Sequence, residues 1–344
     1  KKTKWKKEQK FMNATMSLEA TKHYPVMLDQ IISIISPQHG GTFIDCTFGG
    51  GGYSKAILKY PNTKVFALDR DNSTKTYAND LKKKYPNRFS FFSNKFSNLN
   101  KIIKKNLKPK AIIFDLGISS YQLADSKRGF SFNSKNSLNM EMGMNECSAY
   151  NVVNTFDKKK LAFIIKTFGE EKYGKIIANK IYNYRKKKTI ETAEELNLII
   201  KDAKKGSKNF KRNPSTKTFQ AIRIFVNKEL SELIQGLNAA AELLENDGIL
   251  LVVSFHSIED KIVKSFFNLN SNQNKNPSRY LPNSNYKPSL FKLFLKKAII
   301  PTESEISKNI RSRSAKLRYA IRSNNIFFSK KEIKKKFEYF LKLE

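Results

Sequence analysis

Along residues 21–120, short apolar runs alternate with stretches whose apolar positions recur at helical spacing. That is the pattern of β-strands joined by crossover helices. Asp29 opens a short amphipathic helix over residues 29–36, stopped at Pro37. Residues 43–47 form a first strand, carrying β-branched Ile44 and Thr47 and bounded by Gly40-Gly41 before and four glycines after. Gly49 to Gly52 lack a Cβ, so the backbone can turn sharply and a ligand can approach the main chain. A helix restarts over residues 53–59, and its first N–H groups favour a negative group in the turn. Residues 64–69 read as a second strand ending in Asp69, 72–85 as the second crossover helix, 89–92 as a third strand and 111–116 as a fourth.

The pattern then changes. Residues 117–147 are irregular, and a loop of that length is functional or disordered. Phe130, Phe132, Met140 and Met142 make it too apolar for a disordered linker, so it is expected to be ordered over the site. Residues 148–212 read as helical, with a capping box at Thr192-Ala-Glu-Glu195. A single long helix is expected over 218–246, with Ile222, Phe225, Val226, Leu230, Leu233 and Leu237 on one face and a glycine stop at Gly248. Residues 249–255 resume the sheet, 291–299 and 316–322 close it as an antiparallel pair, and 330–344 form an amphipathic helix. The fold class is α/β: a Rossmann-like, doubly wound sheet with an inserted all-α domain. The expected boundaries are a basic arm at 1–20, the sheet domain's first part at 21–120, a helical insertion at 121–216 and the second part at 217–344.

Charge alters the picture most. The net charge is +35 over 344 residues. An excess of that size points to a polyanionic partner, most simply nucleic acid. Lys, Asn and Ile are abundant throughout, as in chains encoded by AT-rich genomes, so coding bias is the competing reading of part of the lysine excess. Basic clusters at 158–160, 185–188 and 204–212 are interleaved with Phe163, Phe168, Tyr173, Tyr182, Tyr184 and Phe210. The two cysteines, Cys46 and Cys147, exclude a disulfide framework, and no His/Cys spacing suggests a metal site. No apolar run approaches the roughly 20 residues a membrane helix needs. The Lys-rich start lacks the apolar centre of a secretory signal, so a cytoplasmic location and no membrane partner are expected.

The site chemistry follows from the strand ends. Strict G-x-G-x-x-G fails in each register, because Ser54 and Lys55 stand where glycine is called for. Asp45 lies just ahead of the glycine loop, where it would repel a pyrophosphate but suit a sulfonium or ammonium group. S-adenosylmethionine is therefore favoured over NAD. Asp45, Asp69 and Asp115 end or nearly end three strands of the series and share one rim. Asp69 is placed to take ribose hydroxyls, and Phe96 either stacks near an adenine or serves as a core residue.

Diagnostic stretches now stand in order: Thr47-Phe-Gly-Gly-Gly-Gly-Tyr-Ser54, Asp115-Leu-Gly-Ile-Ser-Ser120 with Gln122, Arg128-Gly-Phe-Ser-Phe132, Thr218-Phe-Gln-Ala-Ile-Arg-Ile-Phe-Val-Asn-Lys-Glu-Leu230, Ser254-Phe-His-Ser-Ile-Glu-Asp260 and Arg311-Ser-Arg-Ser-Ala-Lys-Leu-Arg318. Together, from about residue 23 to 322, they closely resemble the RsmH/MraW family of S-adenosylmethionine-dependent methyltransferases. The resemblance implies methylation of N4 of a decoding-centre cytosine in 16S ribosomal RNA. It implies cofactor contacts at Gly51, Gly52, Tyr53, Asp69, Phe96, Asp115 and Gln122, of which Tyr53 and Gln122 come from the family alone. Two departures stand out: Tyr53 where many members have His, and Leu138-Asn-Met-Glu-Met-Gly143 where many read Leu-Asp-Met-Arg-Met-Asp.

The cytosine amino lone pair is delocalised, so an acceptor for its N–H is needed. Asp115, Ser119 and Ser120 are the candidates, with the alternative that Asp115 holds only the adenine amino group. His256 is a candidate for RNA phosphate or base, against a structural role at the strand end. Arg128, Phe130 and Phe132 are candidates to receive the extruded base, and Arg311, Arg313, Lys316 and Arg318 to hold phosphates. A DNA amino-methyltransferase is disfavoured, since no Asn/Asp-Pro-Pro-aromatic run follows the fourth strand. A non-catalytic RNA binder would not need the glycine loop and Asp69. The sequence leaves open whether the partner is naked 16S rRNA or the assembled small ribosomal subunit, and whether a homodimer forms.

Overall fold

The computed structural model describes residues 25–205, 213–271, 289–328 and 331–344. The basic arm expected over 1–20, Phe210 and most of the Asn-rich loop lie outside the described residues.

Seven strands form one sheet in the order β3-β2-β1-β4-β5-β7-β6. They are β1 (Gly41–Asp45), β2 (Thr63–Asp69), β3 (Phe89–Ser93), β4 (Ala111–Asp115), β5 (Ile249–Ser254), β6 (Phe291–Phe294) and β7 (Lys316–Arg322). β1 to β5 pair in parallel, and β7 runs antiparallel between β5 and β6. The parallel strands are apolar on both faces because helices cover both. Phe43, Val65, Ile113 and Leu251 enter one core cluster, while their neighbours Ile44, Ile112, Leu250 and Val252 enter the other. Chain order reverses direction at β1 and β4, so loops leaving those strands diverge and open a crevice.

The insertion is helical, as its sequence indicates. Helices Ala149–Thr155, Lys158–Gly169, Gly174–Arg185 and Ala193–Ala203 follow one another. Their apolar faces, including Ile164, Phe168, Ile181 and Leu196, join the same core cluster as Ile44 and Ile112 of the sheet.

The expected single helix over 218–246 is two helices, Thr216–Asn227 and Glu229–Leu243. Lys228 breaks them with φ 49. The cause is Asn227, whose side chain satisfies the loop backbone beside it. It donates to the carbonyl of Met140 at 2.8 Å and accepts from Met142 N–H at 2.8 Å. Lys228 Nζ adds an ion pair to Glu146 at 2.7 Å. The break aims the N-terminus of Glu229–Leu243 at the crevice. Glu344 holds that N-terminus from the other side, accepting from Leu230 N–H at 2.9 Å and Ser231 N–H at 2.8 Å. The expected terminal helix is likewise two short pieces, Lys331–Lys336 and Glu338–Leu341, with Ile333 and Phe337 buried.

Candidate active site

A cavity of about 150 Å³ opens at the carboxyl ends of β1, β2 and β4. Asp69 and Asp115 line it, and Asp45 lies beneath it, fully buried. Thr47 joins the strands at this rim: its Oγ1 accepts from Asp115 N–H at 2.8 Å, and its own N–H donates to Asp45 Oδ1 at 3.3 Å. Asp45 also accepts from Ser54 Oγ at 2.7 Å.

Burial raises all three carboxyls. Asp45 and Asp69 are each pushed up to about 6, with hydrogen bonds opposing the rise. Asp115 is pushed up to about 8, first by burial and then by the nearby charge of Asp45. Its Oδ1 is buried without a hydrogen-bond partner. Leaving such an oxygen unpaired costs free energy that a ligand donor would recover. At neutral pH Asp45 and Asp69 are mostly ionised and Asp115 mostly holds its proton, so the rim carries negative charge and acceptors and favours a cation over an anion.

Asp69 has backbone partners. It accepts from Gly49 N–H at 2.7 Å and Asp71 N–H at 2.8 Å, so it fixes the glycine loop while each oxygen retains a lone pair for a sugar hydroxyl. The loop itself corrects one expectation. The room left by missing side chains is largely filled by the protein. A Cβ on Gly50 would meet the Tyr121 ring at 2.7 Å, and one on Gly51 would meet the Phe48 ring at 2.8 Å. A Cβ on Gly52 would collide with Pro25. Gly51 also needs its left-handed φ of 76. Only Gly49 and Gly52 of this run reach the cavity. Tyr53 is buried under it, its hydroxyl donating to the Val26 carbonyl at 2.5 Å. The 25–27 segment thus crosses the rim, tied again by Met27 N–H to Glu305 at 2.6 Å.

Beyond β2 and β3 stand Phe96, Arg70 and Gln122. Phe96 lines the cavity and meets Phe114 edge-on at 5.2 Å. Gln122 also lines it, but its amide is engaged: Oε1 accepts from Ser119 N–H at 2.9 Å and Nε2 donates to Asp71 at 2.7 Å. Arg128 binds the same Asp71 carboxylate and also donates to the Glu141 carbonyl at 2.6 Å. Arg70 donates to the carbonyls of Gly143 at 2.7 Å and Asn227 at 2.8 Å.

Towards β5, Ser119 and Ser120 line the cavity. Ser119 caps the helix Ser120–Ala124 through its hydroxyl. His256 is 7% exposed at its side chain and caps the helix Ser257–Asn270, its Nδ1 accepting from Glu259 N–H at 3.4 Å. Its Nε2 lies 3.2 Å from Glu259 Oε1, without hydrogen-bond geometry. Glu229, His256 and Glu259 converge within 4.8 Å, a grouping that the linear spacing hid. Arg223 already holds Glu229 with two hydrogen bonds, of 2.8 and 2.9 Å, so the group is an ion-pair network at the cavity wall.

The RNA candidates separate into two sets. Phe130 is buried, Phe132 packs edge-on against Phe219 at 4.8 Å, and Arg128 is paired as described. Arg318 is buried and ion-paired to Asp260 at 2.6 Å, which Lys316 also meets at 3.0 Å. Arg311 and Arg313 are exposed, and Arg311 lines the cavity. Residues that sequence reasoning did not single out are Thr47, Arg70, Glu229, Glu232 and Asn309. Thr47 and Arg70 follow strand ends, whereas Glu229, Glu232 and Asn309 are invisible to strand-end logic because they come from a helix and a loop folded over the rim.

Comparison with known proteins bears on what this arrangement does. The MraW methylase family is matched over residues 20–323. A protein of Ehrlichia canis (strain Jake) named ribosomal RNA small subunit methyltransferase H is 45% identical over 302 residues, covering 86% of this chain and 98% of its own. One of the same name from Orientia tsutsugamushi (strain Ikeda) is 43% identical over 307 residues, covering 88% and 98%. The crystal structure of an rRNA methylase from Streptococcus thermophilus aligns with TM-score 0.38 and 8% identity over 85% of this chain and 96% of that one.

Proposed function

The chain belongs to the MraW methylase family, and from that premise we propose that it is a small-subunit ribosomal RNA methyltransferase acting on N4 of a decoding-centre cytosine in 16S rRNA. Its cofactor is S-adenosylmethionine. The observation that carries the reading is the pair of carboxyls, Asp69 and Asp115, lining one cavity at the switch point of the sheet beside the glycine loop, with Asp45 buried beneath it. The unpaired Oδ1 of Asp115 and the free lone pairs of Asp69 are the donor-accepting sites such a cofactor needs. The relatives' names supply the substrate class.

When bound, the cofactor supplies an electrophilic methyl group on a cationic sulfur. The chain's own residues do the rest. Asp69 accepts the ribose hydroxyls, and Phe96 packs against adenine. Gly51, Gly52 and Tyr53 shape the loop, and Gln122 ties the segment after β2 to the turn after β4 through Asp71 and Ser119. Asp115 accepts the proton that N4 must lose, and the Ser119-Ser120 turn directs the amino group. Without an acceptor the N4 lone pair stays in the ring, and positioning alone does not make it a nucleophile. The exposed Arg311 and Arg313 hold RNA phosphate in this reading, and Lys316, also exposed, already pairs with Asp260. The cytosine leaves its stack to reach Asp115. The site of action is the cytoplasm. Among the described residues no helix is long and apolar enough to cross a membrane.

The test is direct. Small subunits from cells lacking this activity are incubated with the chain and methyl-labelled S-adenosylmethionine, and the rRNA nucleosides are resolved by mass spectrometry. Label on cytidine N4 is expected. Label on ring carbon or ribose only, or no label, would overturn the proposal.

A further inference from the structure

The helix Glu229–Leu243 points its first turn at the cavity, and Glu232 stands there. Glu232 is 9% exposed, and its Oε2 is buried with no hydrogen-bond partner. The neighbouring cations do not satisfy it. Lys95 Nζ lies 3.7 Å from the other oxygen, Oε1, beyond hydrogen-bond length. The Arg70 guanidinium is directed to Gly143, Asn227 and Asn145. A buried carboxyl oxygen left open is costly, and at a cavity wall it marks where a ligand's N–H or O–H belongs.

Its place along the rim says which donor. The rim runs β3, β2, β1, β4, β5. Phe96 follows β3, Asp69 ends β2, the glycine loop follows β1, and Asp115 ends β4. A nucleoside whose ribose sits at Asp69 and whose sulfonium lies towards Asp115 has its base at Phe96. Glu232 and Gly236 lie one turn apart on one helix face, and Gly236 is the residue that lets the Phe96 ring approach, since a Cβ there would meet Phe96 at 2.6 Å. Glu232 therefore sits beside the base, with the ribose on its far side. The base's edge donor is the exocyclic amine.

We propose that Glu232 accepts a hydrogen bond from the adenine N6 amine and so makes the site selective for adenine over a 6-oxo purine. The inference rests on the S-adenosylmethionine reading above. A carboxyl is a hydrogen-bond acceptor for that amine, whereas the 6-oxo group of hypoxanthine brings a second acceptor against it.

Calorimetric titration with S-adenosylhomocysteine and with S-inosylhomocysteine, which differ at that position, tests it. The native chain is expected to bind the adenine ligand at least tenfold more tightly. Glu232→Ala is expected to lose about tenfold for the adenine ligand and little for the inosine ligand, so that discrimination disappears. Glu232→Gln, which keeps the shape and one acceptor, is expected to fall between, with an unchanged melting temperature certifying the fold. Equal loss for both ligands would overturn the assignment to N6. Unchanged affinity in both variants would overturn any contact. If the native chain bound neither ligand, the cofactor reading itself would fail, an outcome distinct from either.

Discussion

Asp115→Ala is expected to lower kcat for methyl transfer about 10³-fold, the range typical for losing a positioned proton acceptor. The residue ends β4, and its backbone is held by Thr47 Oγ1 at 2.8 Å, so truncation removes the carboxyl without releasing the strand. Asp115→Asn keeps an oxygen to accept from N4 but cannot take the proton, so it is expected to lose less. The pH dependence separates the two roles. Burial and Asp45 hold Asp115 up to about 8, so in the ligand-free protein it carries its proton at pH 7. A bound sulfonium favours the ionised form. The rate of the native chain should rise with pH between about 6 and 8, and Asp115→Asn should lose that limb. A rate for Asp115→Ala within tenfold of native, with cofactor affinity also intact, would remove Asp115 from the site.

Asp69→Ala is expected to weaken cofactor binding about 100-fold, equivalent to about 3 kcal/mol. Two effects combine. The ribose loses its acceptor, and the N–H groups of Gly49 and Asp71 lose theirs. Charge-assisted hydrogen bonds of this kind contribute about 1.5–3 kcal/mol each. Calorimetry with S-adenosylhomocysteine measures the loss directly, and an affinity within threefold of native would contradict it.

How much of this was legible in the sequence differs by element. The β-strands with their terminal acids were readable, because a parallel strand is a short apolar run and its last residue faces the crevice. The seven-stranded sheet and the helices of the insertion agree with that reading, whereas the strand order came from the structure. The break at Lys228 was not readable. Apolar spacing continues through it, and lysine carries no left-handed preference; the break exists because Asn227 serves the backbone of Met140 and Met142, more than eighty residues away in sequence. The glycine loop was readable as a turn, but not what fills it. Pro25, Phe48 and Tyr121 approach from separate parts of the chain. Basic residues told the same half of the story. Composition marked a polyanionic partner, yet it could not distinguish the exposed Arg311 from Arg318, which Asp260 neutralises. The departures at Asn139, Glu141 and Gly143 find a local logic only at Gly143. Its φ of 116 brings the loop against Arg70, whose Nε donates to its carbonyl at 2.7 Å.

The cavity rim as a binding site for a cationic nucleoside is tested most directly by titrating the native chain with S-adenosylmethionine at pH 7, in two buffers of different ionisation enthalpy. At pH 7 Asp115, held at about 8, carries its proton in the free protein, while Asp45 and Asp69, held at about 6, are mostly ionised. A cation beside them lowers those values, so binding must expel protons and tighten as pH rises from 6 to 8. Saturable binding with net proton release is the expected result. No heat of association, or binding that takes protons up, would contradict it.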